Sequence, residues 1–347
     1  MSIGNPVAPL ATTAVPAELR DMLRSALAPG SRGIEVGPGR GPVAPKRAGY
    51  RTLVVDVADA DELRRTARAL GAEAAEIGNI EAVDVVGDAS RLRELLETCG
   101  HVERFDWIVS SHNFEHLADP VGFLCDCEAL LSPGGLVGLI IPDKRYTFDR
   151  FQRPSQLADL LRARREAGTG THEAWAAFGR QALDAARVDA DGNERRWWVA
   201  RDNAPEYLRA RDIRRPYTRL QQILTAAAPP AFHGHRWHFS PAALELLLFD
   251  LNVLGICGLA PEPVVVSPLG WEFAVLLRAG GVVDCPPEEC IARRSALCRQ
   301  IEDEAAAVTG HCLRLERELA DARAELDALR VALDRRSEGA RDTGQTA

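Results

Sequence analysis

The sequence predicts an α/β fold built around a mostly parallel sheet, and three observations carry that prediction. Between residues 32 and 142, short apolar runs rich in β-branched residues alternate with helical patterns, which is the signature of repeated βα units. The first run passes into the glycine-rich turn Glu35-Val36-Gly37-Pro38-Gly39-Arg40-Gly41, placed at the carboxyl end of a strand, where open sheets receive ligands. The chain is also long and apolar enough to bury a sizeable core. Its 347 residues, 46% apolar and 27% charged, bound one large domain or two smaller ones and exclude collagen-like, fibrous and wholly disordered chains.

Residues 1–14 contain Pro6 and Pro9 and lack the basic start and apolar core of a signal peptide, so a flexible terminus is expected. A helix is predicted over 16–27. Strands follow at 33–36, 52–55, 82–86, 105–110 and 136–141, with helices between them at 60–70, 91–99 and 120–131. The last helix meets a stop signal in Ser132-Pro133-Gly134-Gly135. From 143 to 230 the pattern becomes Arg-rich and helical, broken at Gly168-Thr169-Gly170 and Asp191-Gly192-Asn193, and reads as an insertion or lid. The strongly apolar stretch 243–260 is interrupted by Glu245, Asp250 and Asn252 and bracketed by Pro241 and Pro261. That fits a buried helix, over 241–251, better than a membrane span. Sheet character returns at 256–258, 263–266 and 272–277, the last two expected as antiparallel edge strands. One domain therefore spans about 15–280.

The tail differs in kind. With Cys298, Ala305, Cys312, Leu319, Leu326 and Leu333 at position a, position d holds Ile301, Val308, Leu315, Ala322 and Leu329. Such a heptad predicts a coiled coil over 288–336 that makes a homodimer or binds a partner. The alternative is one amphipathic helix lying back on the domain. Residues 337–347 are expected to be disordered.

With 42 basic and 50 acidic residues the net charge is -8, which disfavours nucleic acid as a partner. The basic residues are nearly all Arg, with only Lys46 and Lys144 as lysines, so Arg enrichment alone marks no site. Among 8 Cys no C-x-x-C occurs to suggest a zinc ribbon or redox pair, and reduced thiols in a cytoplasmic protein are expected.

The glycine turn points to a nucleotide or nucleoside. Pro42 stands where a dinucleotide fingerprint needs glycine, which argues against a nicotinamide-dependent reductase, and no phosphate-loop pattern is present. Asp56 ends the second strand, where a carboxylate can accept from ribose hydroxyls. Gly87-Asp88-Ala89 closes the third, where a carboxylate can accept from an adenine amine. In these segments, in the fourth-strand run from Phe105 to His116 and in Leu131-Ser132-Pro133-Gly134-Gly135, the chain resembles the class I S-adenosylmethionine-dependent methyltransferases. The resemblance covers about residues 15–280. It implies a Rossmann-like methyltransferase fold, with a mostly parallel seven-stranded sheet, helices on both faces and a helical insertion after the fifth strand. It further implies that Gly37 and Gly39, within the loop ending at Gly41, face the methionine part of the cofactor. Asp56 would meet the ribose, Asp88 and Ala89 the adenine, and Ser111 or His112 the rim beside the sulfonium. Glu35 would order the loop or a water near the amino group.

The run Asp143-Lys144-Arg145-Tyr146-Thr147-Phe148-Asp149 looks like a branch found among sugar, glycan and natural-product methyltransferases, so Asp143, Lys144, Arg145 and Tyr146 are candidates to bind the acceptor; a solvated charged turn is the alternative. His112, His116 and His235 are candidate bases for a hydroxyl acceptor, because a neutral imidazole takes protons near neutral pH. His116 could equally cap the following helix or pack beneath the cofactor. The spacing His233-x-His235-x-x-His238 matches no standard metal site, and no metal is expected. The function expected is methyl transfer from S-adenosylmethionine to a hydroxyl, in preference to an amine, of a sugar-containing, glycan or natural-product acceptor. The alternative is a non-catalytic scaffold of the same fold that recruits a partner enzyme through its coiled coil.

Overall fold

The computed structural model describes residues 17–166, 170–188, 192–197, 207–210, 212–225, 234–267, 271–282 and 284–307. The first half runs α1 (Ala17–Ala26), β1 (Arg32–Val36), β2 (Arg51–Asp56), α2 (Ala60–Ala69), α3 (Ala74–Gly78), β3 (Val85–Val86), α4 (Leu92–Thr98), β4 (Phe105–Ser111), α5 (Pro120–Leu130) and β5 (Leu131–Pro142). The insertion contributes α6 (Leu157–Glu166), α7 (Gly170–Ala182), β6 (Ala185–Val188), β7 (Glu194–Arg195), β8 (Tyr207–Ala210) and α8 (Arg214–Thr225). The chain returns through α9 (Pro241–Val253), β9 (Leu259–Pro261), β10 (Val265–Val266) and β11 (Glu272–Ala279), and then α10 over 287–307.

The main sheet has the order β10-β11-β5-β4-β1-β2-β3, with β9 paired to β11. The pairs from β5 through β4, β1 and β2 to β3 are parallel, whereas β11 is antiparallel to β5. Strand order therefore reverses between β1 and β4. In such sheets the carboxyl ends of the two strands at the reversal open a crevice.

Each strand alternates between two apolar layers, because successive side chains leave opposite faces of a sheet. Ile34, Val36, Val55, Ile108, Leu139 and Phe273 join one layer with Leu92 of α4, Leu124 of α5 and Leu247 of α9. Trp107, Val109, Leu136 and Ile140 join the other with Leu19 and Leu23 of α1. Gly33 is fixed by this packing. A Cβ there would lie 1.9 Å from the Trp107 indole, whose Nε1 donates to Ser31 Oγ at 3.0 Å.

The α/β fold expected of the family is present, with several differences from the sequence reading. The main sheet has eight strands rather than seven. The strand expected at 256–258 lies at Leu259–Pro261, and β11 is interior, since it pairs with β5, β9 and β10. The insertion carries a three-stranded antiparallel sheet, β7-β6-β8, beside its helices. All four β6 residues are buried, so no alternating pattern marked that strand. Helix α5 ends at Leu130 because Leu131 turns extended (φ -80°, ψ 145°), and Ser132-Pro133-Gly134-Gly135 opens β5.

Over its described part, α10 lies on α9. Arg294 Nε donates to Asp250 at 2.8 Å, Glu304 accepts the Ala242 N–H at 3.1 Å, and Arg293 sits 4.9 Å above the Phe249 ring. Leu297 is buried while Cys298, at heptad position a, is exposed. Residues 308–347, with most of the heptads, lie outside the described residues, as do 1–16. No helix among the described residues is long and apolar enough to cross a membrane.

Candidate active site

On the β1 side of the crevice, backbone N–H groups meet carboxylates. Buried Glu35 of β1 accepts from Val43 N and, at 3.0 Å, from Ala44 N, and so ties down the far end of the glycine loop. Burial pushes its carboxyl up to about 7, partly opposed by those two N–H groups. Arg20 and Arg24 of α1 hold the same loop by its carbonyls, Arg20 at Gly41 and Pro42 and Arg24 at Val43. A Cβ on Gly41 would come within 2.7 Å of the Arg20 guanidinium, so this glycine makes room for Arg20 and does not face the crevice. Gly37 has φ +65°, and a Cβ there would press on Asn113 at 3.0 Å. Gly39 has φ +47°, open space where a Cβ would be, and an N–H that donates to Asp56 Oδ2 at 3.2 Å. Asp56 Oδ1 accepts from Val57 N at 2.8 Å. Burial raises its carboxyl above the usual range against these two N–H bonds, and each oxygen keeps a lone pair. Asp88 is exposed past β3 and accepts from Ser90 N at 2.9 Å, and Ala89 beside it is buried.

The β4 side is built differently. Ser111, the last residue of β4, has a buried Oγ without a hydrogen-bond partner among the described residues. His112 follows in the left-handed region at φ 52°, a costly conformation for a non-glycine residue. Its Nε2 hydrogen-bonds Glu272 at 2.8 Å, and its ring stacks on Trp271 with centroids 5.4 Å apart. The turn then buries Glu115 completely. Glu115 Oε1 lies 3.8 Å from His112 Nδ1, 3.7 Å from His116 Nε2 and 3.8 Å from His235 Nε2, yet neither oxygen makes a hydrogen bond among the described residues. Burial raises this carboxyl to about 7. Burial likewise holds His116 and His235 well below their ordinary values, which keeps both imidazoles neutral.

Three distant segments close around this turn. Arg236 and Trp237 donate their N–H groups to the Glu115 carbonyl at 2.7 and 3.2 Å, and the Trp237 indole donates to Leu117 O at 2.7 Å. These bonds fix His235 over Glu115. Asp149, from the loop after β5, takes His235 Nδ1 at 2.6 Å. From the insertion, Trp197 packs edge-on against His112, Phe148, His235 and Trp271.

All three candidate histidines thus converge on Glu115. The run after β5 behaves otherwise. Asp143 is wholly buried and accepts from Arg145 Nε and Nη2 at 2.9 and 2.6 Å, so this pair braces its own loop. Buried Lys144 donates to Arg150 O at 3.2 Å, and burial lowers its ammonium to about 8. The Arg145 guanidinium lies 5.4 Å from the Tyr146 ring. The members of this run that reach the histidines are Asp149 and Phe148, whose ring centroid lies 4.7 Å from that of His235. His238 Nε2 stands 3.6 Å from Asp149 Oδ1, and His233 lies outside the described residues. Sequence reasoning missed Glu115, Asp149 and Glu272 as site residues. The available signal was acidic residues within otherwise apolar or aromatic runs, where burial leaves a charge in need of a partner.

The crevice thus pairs a preformed glycine loop with a ring of imidazoles. Over residues 12–252 the sequence matches the family model described as a methyltransferase domain. The chain belongs to that family. This methyltransferase uses S-adenosylmethionine. It is similar to the CcbJ methyltransferase of Streptomyces caelestis (14% identity, 77% of this chain and 91% of that one, TM-score 0.37). It is also similar to an S-adenosylmethionine-dependent methyltransferase from Mesorhizobium loti (14%, 74% and 96%, TM-score 0.37). A third similar structure is the glycopeptide N-methyltransferase MtfA complexed with sinefungin (14%, 79% and 98%, TM-score 0.36). Likenesses this low leave the acceptor open. No curated protein matches the sequence.

Proposed function

We propose that this methyltransferase methylates a hydroxyl, in preference to an amine, of a sugar-containing, glycan or natural-product small molecule. The residues on the β1 side fit the cofactor. Gly39 leaves open space, Gly37 and Gly39 hold positive φ, and Asp56 keeps lone pairs on both oxygens. Gly37 and Gly39 would take the methionine part, Asp56 the ribose, Asp88 and Ala89 the adenine, and Ser111 the rim, while Glu35 and Gly41 act from behind by holding the loop.

When bound, the cofactor supplies an electrophilic methyl group on a sulfonium. Methyl transfer asks mainly for in-line positioning. A hydroxyl nucleophile must also lose its proton, and neutral imidazoles beside the crevice can accept it. The observation that carries the reading is the ring of His112, His116 and His235 around Glu115. It stands one turn past β4, and Asn113 of the same turn touches the glycine loop.

The test is mass-spectrometric detection of methylated product from S-adenosylmethionine and two panels, hydroxylated glycosides and primary amines. Methyl ethers are expected. Products from the amine panel alone would overturn the hydroxyl reading, and cofactor binding with no product from either panel would favour the scaffold.

A further inference from the structure

We infer that Glu115, His116 and His235 form a binding site for a divalent first-row transition ion such as zinc. One carboxylate oxygen and one nitrogen from each imidazole lie within 4.8 Å of one another. A tetrahedral ion with bonds of ~2.1 Å sets its ligands roughly 3.4 Å apart, so the three atoms stand slightly wider than a bound ion would draw them. Mixed imidazole and carboxylate donors suit such an ion better than calcium or magnesium, which favour oxygen ligands alone.

Three further features fit a cation. Glu115 is fully buried, and among the described residues both of its oxygens lack a hydrogen bond, so an ionised carboxylate there calls for a cationic partner. His235 gives its Nδ1 to Asp149 at 2.6 Å, which turns Nε2 toward Glu115. Metal-bound histidines are commonly oriented by a second carboxylate in this way. The neighbouring carboxylates of Asp149 and Glu272 also each keep one buried oxygen without a hydrogen bond among the described residues. The ligands come from two segments separated by more than a hundred residues, which is why no spacing in the His233–His238 run revealed them.

The role of the ion rests on the methyl-transfer reading. Three protein ligands leave a coordination position open, and an acceptor hydroxyl bound there would ionise more easily. His112, which stands beside Glu115 and would not be a ligand, could take the hydroxyl proton; the oxygen would then bond to the methyl carbon as the methyl–sulfur bond breaks, and the thioether S-adenosylhomocysteine would leave.

The experiment is elemental analysis of the full-length protein, followed by titration of the metal-stripped protein with cobalt(II) and reading of its visible absorption. About one equivalent of ion per chain is expected, with cobalt absorption typical of low coordination number. Glu115→Gln should abolish both signals. His116→Asn, at a partly exposed position, should weaken cobalt binding at least tenfold without unfolding the chain. Asp149→Asn should lower affinity roughly 10–100-fold, as outer-shell changes do. Protein that binds S-adenosylmethionine by calorimetry yet holds no ion and gives no cobalt spectrum would overturn the metal site alone. Loss of cofactor binding by the parent protein would instead break the methyltransferase reading.

Discussion

The two sides of the crevice solve opposite problems. On the β1 side every carboxylate that shapes the glycine loop is answered by backbone N–H groups, Glu35 by Val43 and Ala44 and Asp56 by Gly39 and Val57. On the β4 side, among the described residues the Glu115 carboxylate has no hydrogen bond and one oxygen each of Asp149 and Glu272 is unsatisfied, while His112 holds a strained backbone. The first is a loop whose shaping carboxylates are already satisfied by the protein's own backbone. The second stores unsatisfied polar groups that a proton, an ion or an acceptor must complete.

If the halves are separate, damage to one should spare the other. The largest effect is expected from His112→Ala, which should lower the methyl-transfer rate at saturating cofactor by roughly 10²–10⁴ and leave cofactor affinity unchanged. Single-turnover kinetics with calorimetry checks it, and a parallel loss of affinity would break the comparison. Asp56→Ala should do the reverse. Losing a charge-assisted hydrogen bond costs on the order of 1.5–3 kcal/mol, so cofactor binding should weaken at least about tenfold with turnover at saturation little changed.

A third test uses pH. The Glu35 carboxyl stands at about 7 in the folded chain against an ordinary value of 4.5. Between those values the folded state binds the proton more tightly than the unfolded state, so stability should fall as pH rises from about 4.5 to about 7 and level off above. The swing attributable to this residue is on the order of 3 kcal/mol. Denaturant unfolding of the parent and Glu35→Gln across that window should show the parent losing ground to the variant, and parallel curves would remove the buried carboxyl as the cause. The smallest effect belongs to a control remote from both sides. Arg294→Ala removes a half-exposed guanidinium from the buried Asp250 carboxylate and should lower stability by about 1–2 kcal/mol in the same unfolding experiment.

The same division explains what was legible in the sequence. Gly37, Gly39, Asp56 and Asp88 sit at strand ends whose apolar runs are easily recognised, and each acts close to its own strand. Glu115 becomes a hub through His235 and Asp149, which arrive from other loops, and no local periodicity records such a meeting. His112, His116 and His235 were visible as titratable groups, but their common neighbour was not. The buried strand β6 and the short β9, which ends in Pro261, escaped for a related reason, since neither shows the alternation that betrays a half-exposed strand.

Trp197 gives the molecule a property of its own. Among the described residues of the insertion past α6, this indole makes the ring contacts with His112 and His235, and a bridge joins its backbone to Thr147. The glycine loop is held from elsewhere, by α1 and by the ends of β1 and β2. A lineage, or an engineer, could therefore exchange the insertion for another of different shape, provided an aromatic ring still lands beside Thr147, and rebuild the surroundings of the imidazoles while the glycine loop stays as it was.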